Sequence, residues 1–359
     1  MLSPDREKRL LDIAGAGDLT ALIEIRQKEQ NRLATKVAAF KASDLVESLN
    51  ELHDALIART IALAENDLAR MGLGAPPVPY AYMLLGSGGR REQTTYSDQD
   101  SCLVYADTAD EDKAALYRVY FARLSEKIVN DLIAMEYPPC EGEVMSNNAE
   151  WRLPLSGWME KIDGWFAEPA WENVRYLLIF ADARHIYGDS ALADQVKSHF
   201  FGDMLNHPVI AKRMMENTIR RKVLVGVFGQ LLTEQYGEDA GSLDVKYGAY
   251  IPMVNAFRLL AIQANIRETS TFGRIECLRR AKLLDDDEAA EYAEAFSFLL
   301  EIRMFTETPN ESVRLTASGK IPAERLTKVL RTQLKKALKS GRKIQRRVQR
   351  EMQDRFGGR

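Results

Sequence analysis

A short apolar and aromatic run at residues 80–85 stops abruptly at the sequence GSGG, residues 86–89, within a chain whose patterning is otherwise mostly helical. A run of this length that ends on glycines predicts a buried strand entering a tight turn. Residues 101–105, SCLVY, form a second run of the same kind. Short strands set among helices restrict the fold to the α+β class, with a small sheet.

The rest of the chain carries helical periodicity. Residues 5–72 hold apolar side chains at spacings of three and four, and they are followed by glycines and prolines that stop a helix. A further helix is predicted over residues 110–135 and a third strand over residues 141–147. From residue 151 the pattern is again helical. We therefore expect a small mixed sheet flanked by an N-terminal helical region and a C-terminal helical bundle.

Composition limits the classes of function. The 359 residues carry a formal net charge of −3, so nucleic acid is not an expected partner of the chain as a whole. The three cysteines are far apart, which predicts neither a disulfide framework nor a zinc site. The N-terminus has no apolar leader, and no apolar run approaches the roughly 18 residues that span a bilayer. We therefore expect a cytoplasmic protein without a membrane segment.

The chemical signal lies in the segment GSGGRREQTTYSDQDSCLVY. Glycines let successive backbone N–H groups approach a phosphate closely and form an anion nest. Asp98 and Asp100 open the second strand, where residues i and i+2 point to the same face. Two carboxylates held side by side favour a bound cation such as Mg²⁺. Taken singly, each feature is more often a turn or a cap, but their order and spacing favour phosphate chemistry.

The string GSGGRREQTTYSDQD resembles the signature of the DNA polymerase β superfamily of nucleotidyltransferases. More narrowly, it is similar to signal-transduction nucleotidyltransferases related to the uridylyltransferase of bacterial nitrogen signalling, a group often fused to cyclic-nucleotide-binding and CBS modules. Later stretches such as PPCEGEVMSNNAEWR and LDVKYGAYIPMVNAFRLLA share this resemblance. It implies a nucleotidyltransferase domain at residues 76–205 between an N-terminal helical region, 1–75, and a helical substrate-binding domain, 206–359.

The resemblance also implies roles for individual residues. Asp98 and Asp100 would hold Mg²⁺ or Mn²⁺, and Gly86 and Ser87 would bind the β- and γ-phosphates of a nucleoside triphosphate, ATP or UTP. The superfamily has a third acidic residue, for which Glu141 and Glu143 are candidates and Glu143 is preferred, with a solvated position as the competing interpretation for both. The third acid would complete the metal site or act as the base on the acceptor hydroxyl.

Three cations are further candidates for nucleotide binding. Arg90 follows the glycines and would either clamp phosphate or pair with Glu92 or Asp98 to order the loop. In relatives a helical domain closes over the nucleotide, and Lys246 and Arg258 lie in the region that the resemblance assigns to that domain. For both, a surface position on a helix is the competing interpretation.

The predicted reaction transfers a nucleoside monophosphate to an unidentified acceptor with release of pyrophosphate, in signalling or regulation. A protein acceptor or regulatory partner fits this role. The alternative is a non-catalytic nucleotide sensor or protein-interaction module on the same fold. The basic segment from residue 325 onward predicts an amphipathic helix, which either packs with a solvated cationic face or docks an acidic protein or a nucleic acid. If this segment docks a nucleic acid, the chain would be an enzyme that modifies nucleic-acid ends.

Overall fold

In a computed structural model the chain divides into two compact units. Unit 1 comprises Met1–Ile162 and Asp182–Phe200, and unit 2 comprises Asp163–Ala181 and Phe201–Arg359. The predicted domain boundary at 205/206 lies outside the described residues. The structure describes residues 4–34, 42–204, 212–214, 216, 224, 231–234, 240–306 and 319–356.

Helices dominate both units. In chain order the helices are α1 (Pro4–Gly15), α2 (Leu19–Ala34), α3 (Ala42–Arg70), α4 (Gly86–Gly89), α5 (Glu111–Ala134), α6 (Leu155–Ala167), α7 (Trp171–Phe180), α8 (Ser190–Met204), α9 (Ile251–Gln263), α10 (Thr271–Arg280), α11 (Asp286–Thr306) and α12 (Lys328–Phe356). The strands are β1 (Tyr80–Leu84), β2 (Ser101–Tyr105), β3 (Arg152–Pro154), β4 (Arg184–Gly188), β5 (Ser242–Asp244) and β6 (Lys320–Pro322).

The four strands of unit 1 form one mixed sheet in the order β3-β2-β1-β4. β1 pairs antiparallel with β2 and with β4, whereas β2 pairs parallel with β3. The predicted α+β class, with a small mixed sheet and helices at both ends of the chain, is confirmed. The pairing of Leu84 with Ser101 brings the C-terminal end of β1 beside the N-terminal end of β2.

Every residue of β1 and β2 is buried. This explains why both strands appear in the sequence as continuous apolar runs without the alternation of a half-exposed strand. The aromatic ring of Tyr105 stacks on Phe121 of α5, with ring centroids 4.6 Å apart. From α6, the Trp158 indole N–H donates to the Leu103 carbonyl over 2.9 Å. The sheet is therefore fixed by side chains from the helices on its faces.

The N-terminal helices belong to the same unit as the sheet. The leucine stripe of α3 is buried, and its polar interruption, Thr60, is satisfied because its hydroxyl donates to the Leu56 carbonyl. Two turns before Thr60, His53 is buried between two partners. Its Nδ1 lies 2.6 Å from the Tyr137 hydroxyl, and its Nε2 lies 3.1 Å from the Thr94 carbonyl. A carbonyl can only accept, so Nε2 carries the proton and the tyrosine donates to Nδ1.

The third strand lies elsewhere than predicted. Residues 141–147 form turns and bends, while the strand beside β2 is Arg152–Pro154. The turn forms because Glu143, whose φ is 53°, returns its N–H to the Cys140 carbonyl. The segment still contacts the sheet, because the Val144 carbonyl accepts the Ser101 N–H and the Ser146 N–H donates to the Ser101 hydroxyl. Isolated hydrogen bonds of this kind replace the ladder that the sequence suggested.

Unit 2 is built around α9. Almost the whole of this helix, from Pro252 to Ile262, is buried, as expected for a helix that is apolar on all sides. It contacts α10 and α12, and α11 packs along α12. The apolar face of the amphipathic helix predicted for the C-terminal segment packs on this core, with Leu334 and Leu338 buried. Within the described parts of the chain, no helix combines the length and apolarity needed to cross a membrane.

We predict that His53 makes the protein acid-sensitive. Burial, and then the charge of Arg26, lowers the pKa of His53 from 6.5 to about 3. Below pH 6.5 the unfolded chain therefore binds a proton at His53 that the folded chain does not bind. The contribution of neutral His53 to the free energy of unfolding is complete above pH 6.5 and is lost as the pH falls towards 3. Between pH 6 and 4, wild type should lose about 1.4 kcal/mol per pH unit more than His53→Gln in urea unfolding. Parallel stability curves for the two proteins would contradict this assignment.

Candidate active site

Asp98 and Asp100 lie on the extended segment that leads directly into β2, and both are half-buried. Gln99 between them is buried and points the other way. Its backbone N–H donates to the Pro138 carbonyl at 2.9 Å, and its side-chain amide donates to the Tyr137 carbonyl at 2.9 Å. A buried residue between two half-buried ones fits the alternation that the spacing predicts, and the common face of the two carboxylates stays a prediction.

The glycine turn meets this acidic pair. The Leu85 N–H donates to the Asp100 carbonyl at 2.9 Å, which continues the β1–β2 ladder by one residue. Gly86 follows with φ at +51°, and a Cβ built on it would lie 2.1 Å from Oδ2 of Asp100. Only glycine fits this place, because the conformation is left-handed and the carboxylate occupies the side-chain position. The two predicted motifs are therefore in direct contact.

Arg184 of β4 holds the single turn of α4 in place. Its guanidinium donates to the Gly88 carbonyl at 2.8 Å and to the Gly89 carbonyl at 3.2 Å, so it satisfies acceptors that a helix of one turn leaves open. The same group forms a forked pair with Asp54 of α3 at 2.7 and 3.0 Å. Arg184 therefore joins β4 to two elements that are distant in the chain, α4 and α3.

Arg90 is buried and forms two ion pairs. Nε lies 2.7 Å from Glu92, and NH1 lies 2.6 Å from Asp182, whose side chain is completely buried. Of the two roles weighed for Arg90, the structure shows the ordering of the loop, and Asp182 is a partner that sequence spacing did not indicate. Contact of Arg90 with phosphate stays a prediction. The neighbouring Arg91 is 63% exposed and pairs with Asp54 at the surface.

Cys140 was missed by the sequence reasoning. Its thiol hydrogen-bonds the Asp100 carboxylate, and burial together with the negative charge of Asp100 raises the pKa of the thiol to about 12. A neutral thiol at this position donates to the carboxylate. Cys140 lies 40 residues beyond Asp100, and a lone cysteine carries no spacing that would have linked it to the acidic pair.

Glu143 is exposed on the turn described above. Within the described residues, no three side chains of His, Cys, Asp or Glu cluster closely enough to hold a metal ion. The binding of a metal ion by Asp98 and Asp100, and the role of Glu143 as a third acid, stay predictions.

Two family models match the chain. Residues 28–172 match the family described as "Putative nucleotidyltransferase DUF294", and residues 208–352 match the one described as "Putative nucleotidyltransferase substrate binding domain". Together they cover well over half of the sequence. The chain belongs to this nucleotidyltransferase family. No curated protein matches the chain. The family resemblance expected from the sequence is thereby confirmed.

The nucleotidyltransferase model spans the glycine turn and the acidic pair, and the substrate-binding model spans the two remaining candidate cations. Lys246 is half-buried on a π-helical turn at Lys246–Tyr250. Arg258 is buried within α9 and donates to the side chain of Asn255. The surface interpretation is therefore wrong for Arg258. Contact of either cation with a nucleotide stays a prediction.

The two adjacent arginines should differ sharply in their effect on stability. Arg90→Met would leave Glu92 and Asp182 buried without their cation, and we expect the free energy of unfolding in urea to fall by about 3–5 kcal/mol. Arg91→Met removes a largely exposed partner of Asp54 and should cost less than about 1 kcal/mol. Equal losses in the two variants would show that the buried network does not order the loop.

Proposed function

We propose that this chain transfers a nucleoside monophosphate from a nucleoside triphosphate to a hydroxyl acceptor and releases pyrophosphate. The observation that carries the proposal is the contact of the Asp100 carboxylate with Gly86, because it joins an acidic pair to a glycine turn in one place. The descriptions of the matching family models name the same general chemistry.

The acidic pair suits Mg²⁺ or Mn²⁺. Mg²⁺ prefers oxygen ligands and is usually held by one or two carboxylates together with substrate phosphates, not by a cage made only of protein. Asp98 and Asp100 supply two such carboxylates two residues apart, and both are partly exposed to solvent from which a nucleotide can enter. Bound there, the ion would offset the negative charge of the triphosphate and favour the deprotonated acceptor.

The chain's own residues would then position the reactants. Backbone N–H groups at Gly86 and Ser87 bind the β- and γ-phosphates, which become the leaving pyrophosphate. The acceptor oxygen forms a bond to the α-phosphorus while the bond from that phosphorus to the bridging oxygen breaks. The acceptor proton passes to a carboxylate, for which Glu143 is the candidate. Gln99 and Arg184 keep the turn and the carboxylates fixed, so little reorganisation is needed during the reaction.

The donor and the acceptor complete the proposal. ATP and UTP are the donors to test first, and a protein side chain is an acceptor consistent with a role in signalling. Incubation of the protein with α-labelled ATP or UTP and cell extract would reveal the acceptor as the species that becomes labelled. Metal-dependent nucleotide binding without label transfer or pyrophosphate release would instead support the non-catalytic sensor.

Removal of both acidic charges should abolish metal-dependent binding. In the double variant Asp98→Asn with Asp100→Asn, the metal ion has lost its charged ligands. The binding curve for ATP or UTP measured in Mg²⁺ should therefore coincide with the curve measured in EDTA. Asp112→Asn is the matched control, because Asp112 is exposed in the first turn of α5, and it should keep the wild-type difference. This mechanism would be refuted if wild type bound nucleotide equally well with and without the metal and the double variant bound it with the same affinity.

A methyl group at Gly86 should displace Asp100. Gly86→Ala would put its Cβ at the position of a carboxylate oxygen and would also strain a left-handed residue. A shift of about 1 Å in a catalytic group can cost about 100-fold in rate, so we expect a loss of that order in pyrophosphate release. Gly164→Ala is the control, because its Cβ would meet nothing within 4 Å. If Gly86→Ala kept wild-type activity, the glycine turn would not take part in the reaction.

A further inference from the structure

Helix α12 carries a stripe of exposed cations on the side opposite its buried face. We call it the cationic stripe, and its members are Lys328, Arg331, Lys335, Lys339, Arg346 and Arg350. At 100° per residue these positions fall within an arc of roughly 100° and extend over about 33 Å. Among the described residues none of the six pairs with a carboxylate. A row of like charges on one helix raises its energy unless a partner neutralises it.

The adjacent flank of α12 already shows what such a row binds. There Lys336, Lys343 and Arg347 pair with an acidic helix of the same unit, α11. Lys336 contacts Glu294 at 2.9 Å and Lys343 contacts Glu291 at 2.9 Å.

The third pair, Arg347 with Glu288 at 3.0 Å, completes an antiparallel ladder in which the carboxylates recur every three residues. The cationic stripe repeats this arrangement of cations, and in the described parts of the chain no acidic helix pairs with it.

We propose that the cationic stripe docks an acidic helical segment of another protein, with carboxylates every three or four residues along one face. The stripe is straight, as an antiparallel helix requires, and its positions contain no aromatic side chain on which a base could stack. The net charge of −3 also disfavours a general nucleic-acid binder. This binding goes beyond the nucleotidyl transfer proposed above and does not depend on it.

The test uses a labelled acidic helical peptide of about 20 residues with glutamates along one face, without nucleotide or metal. A peptide of the same composition with its glutamates spread around the helix is the first control, and single-stranded RNA is the second. Wild-type protein should bind the one-faced peptide at least about tenfold more tightly than either control, and the affinity should fall as salt rises.

Two sets of variants distinguish an effect of the cationic stripe from an effect of the overall charge of the protein. Lys335→Gln, Lys339→Gln, Arg346→Gln and Arg350→Gln together should weaken peptide binding about tenfold or more. The matched control removes four exposed cations outside the stripe. The control substitutions are Arg123→Gln, Lys212→Gln, Lys282→Gln and Arg325→Gln.

The control variant should stay within about twofold of wild type. Should the stripe variant not fold, Lys335→Gln with Lys339→Gln should show a smaller loss in the same direction. The proposal is overturned by equal affinity for the two peptides, by equal losses in the stripe and control variants, or by tighter binding of RNA than of the one-faced peptide.

Discussion

The site depends on the register between β1 and β2. When Leu84 pairs with Ser101, the next N–H, that of Leu85, donates to the Asp100 carbonyl, and Gly86 follows beside the Asp100 carboxylate. Slippage by one residue would turn the acidic pair to the other face of the sheet. The packing of both buried strands disfavours slippage, because each side chain would lose the contacts of its own face, such as the stacking of Tyr105 on Phe121. The packing of the core thereby determines where the carboxylates point.

Buried charge organises the loop between the two motifs. Arg90 neutralises two carboxylates, and Arg184 satisfies the carbonyls at the end of the single-turn helix. A short turn rich in glycine loses much conformational entropy on folding, so it needs such restraints to hold one geometry. The arginines that surround the glycines therefore contribute by fixing the backbone.

The sequence revealed what is local and periodic. The two central strands follow from continuous apolar runs, and the contact of the glycine turn with Asp100 follows from their order along the two strands. The third strand was misassigned because residues 141–147 offered polar alternation without showing that Glu143 would turn the chain. The partners Asp182 and Cys140 were not identified, since they lie far from the glycine turn in sequence and meet it only through the fold. Long-range pairings of this kind leave no spacing to detect.

Three polar residues of α3 hold the loop that joins the glycine turn to the acidic pair, or the arginine that fixes that turn. Asn50 exchanges two hydrogen bonds with the backbone of Gln93, His53 binds the Thr94 carbonyl, and Asp54 holds Arg184. These helix positions precede the glycines by more than 30 residues, yet they determine the path of the chain towards the acidic pair. The unit of sequence that defines this site is therefore longer than the glycine and aspartate signature. Grafting the signature alone onto another sheet would transfer its ligands without the scaffold that aims them.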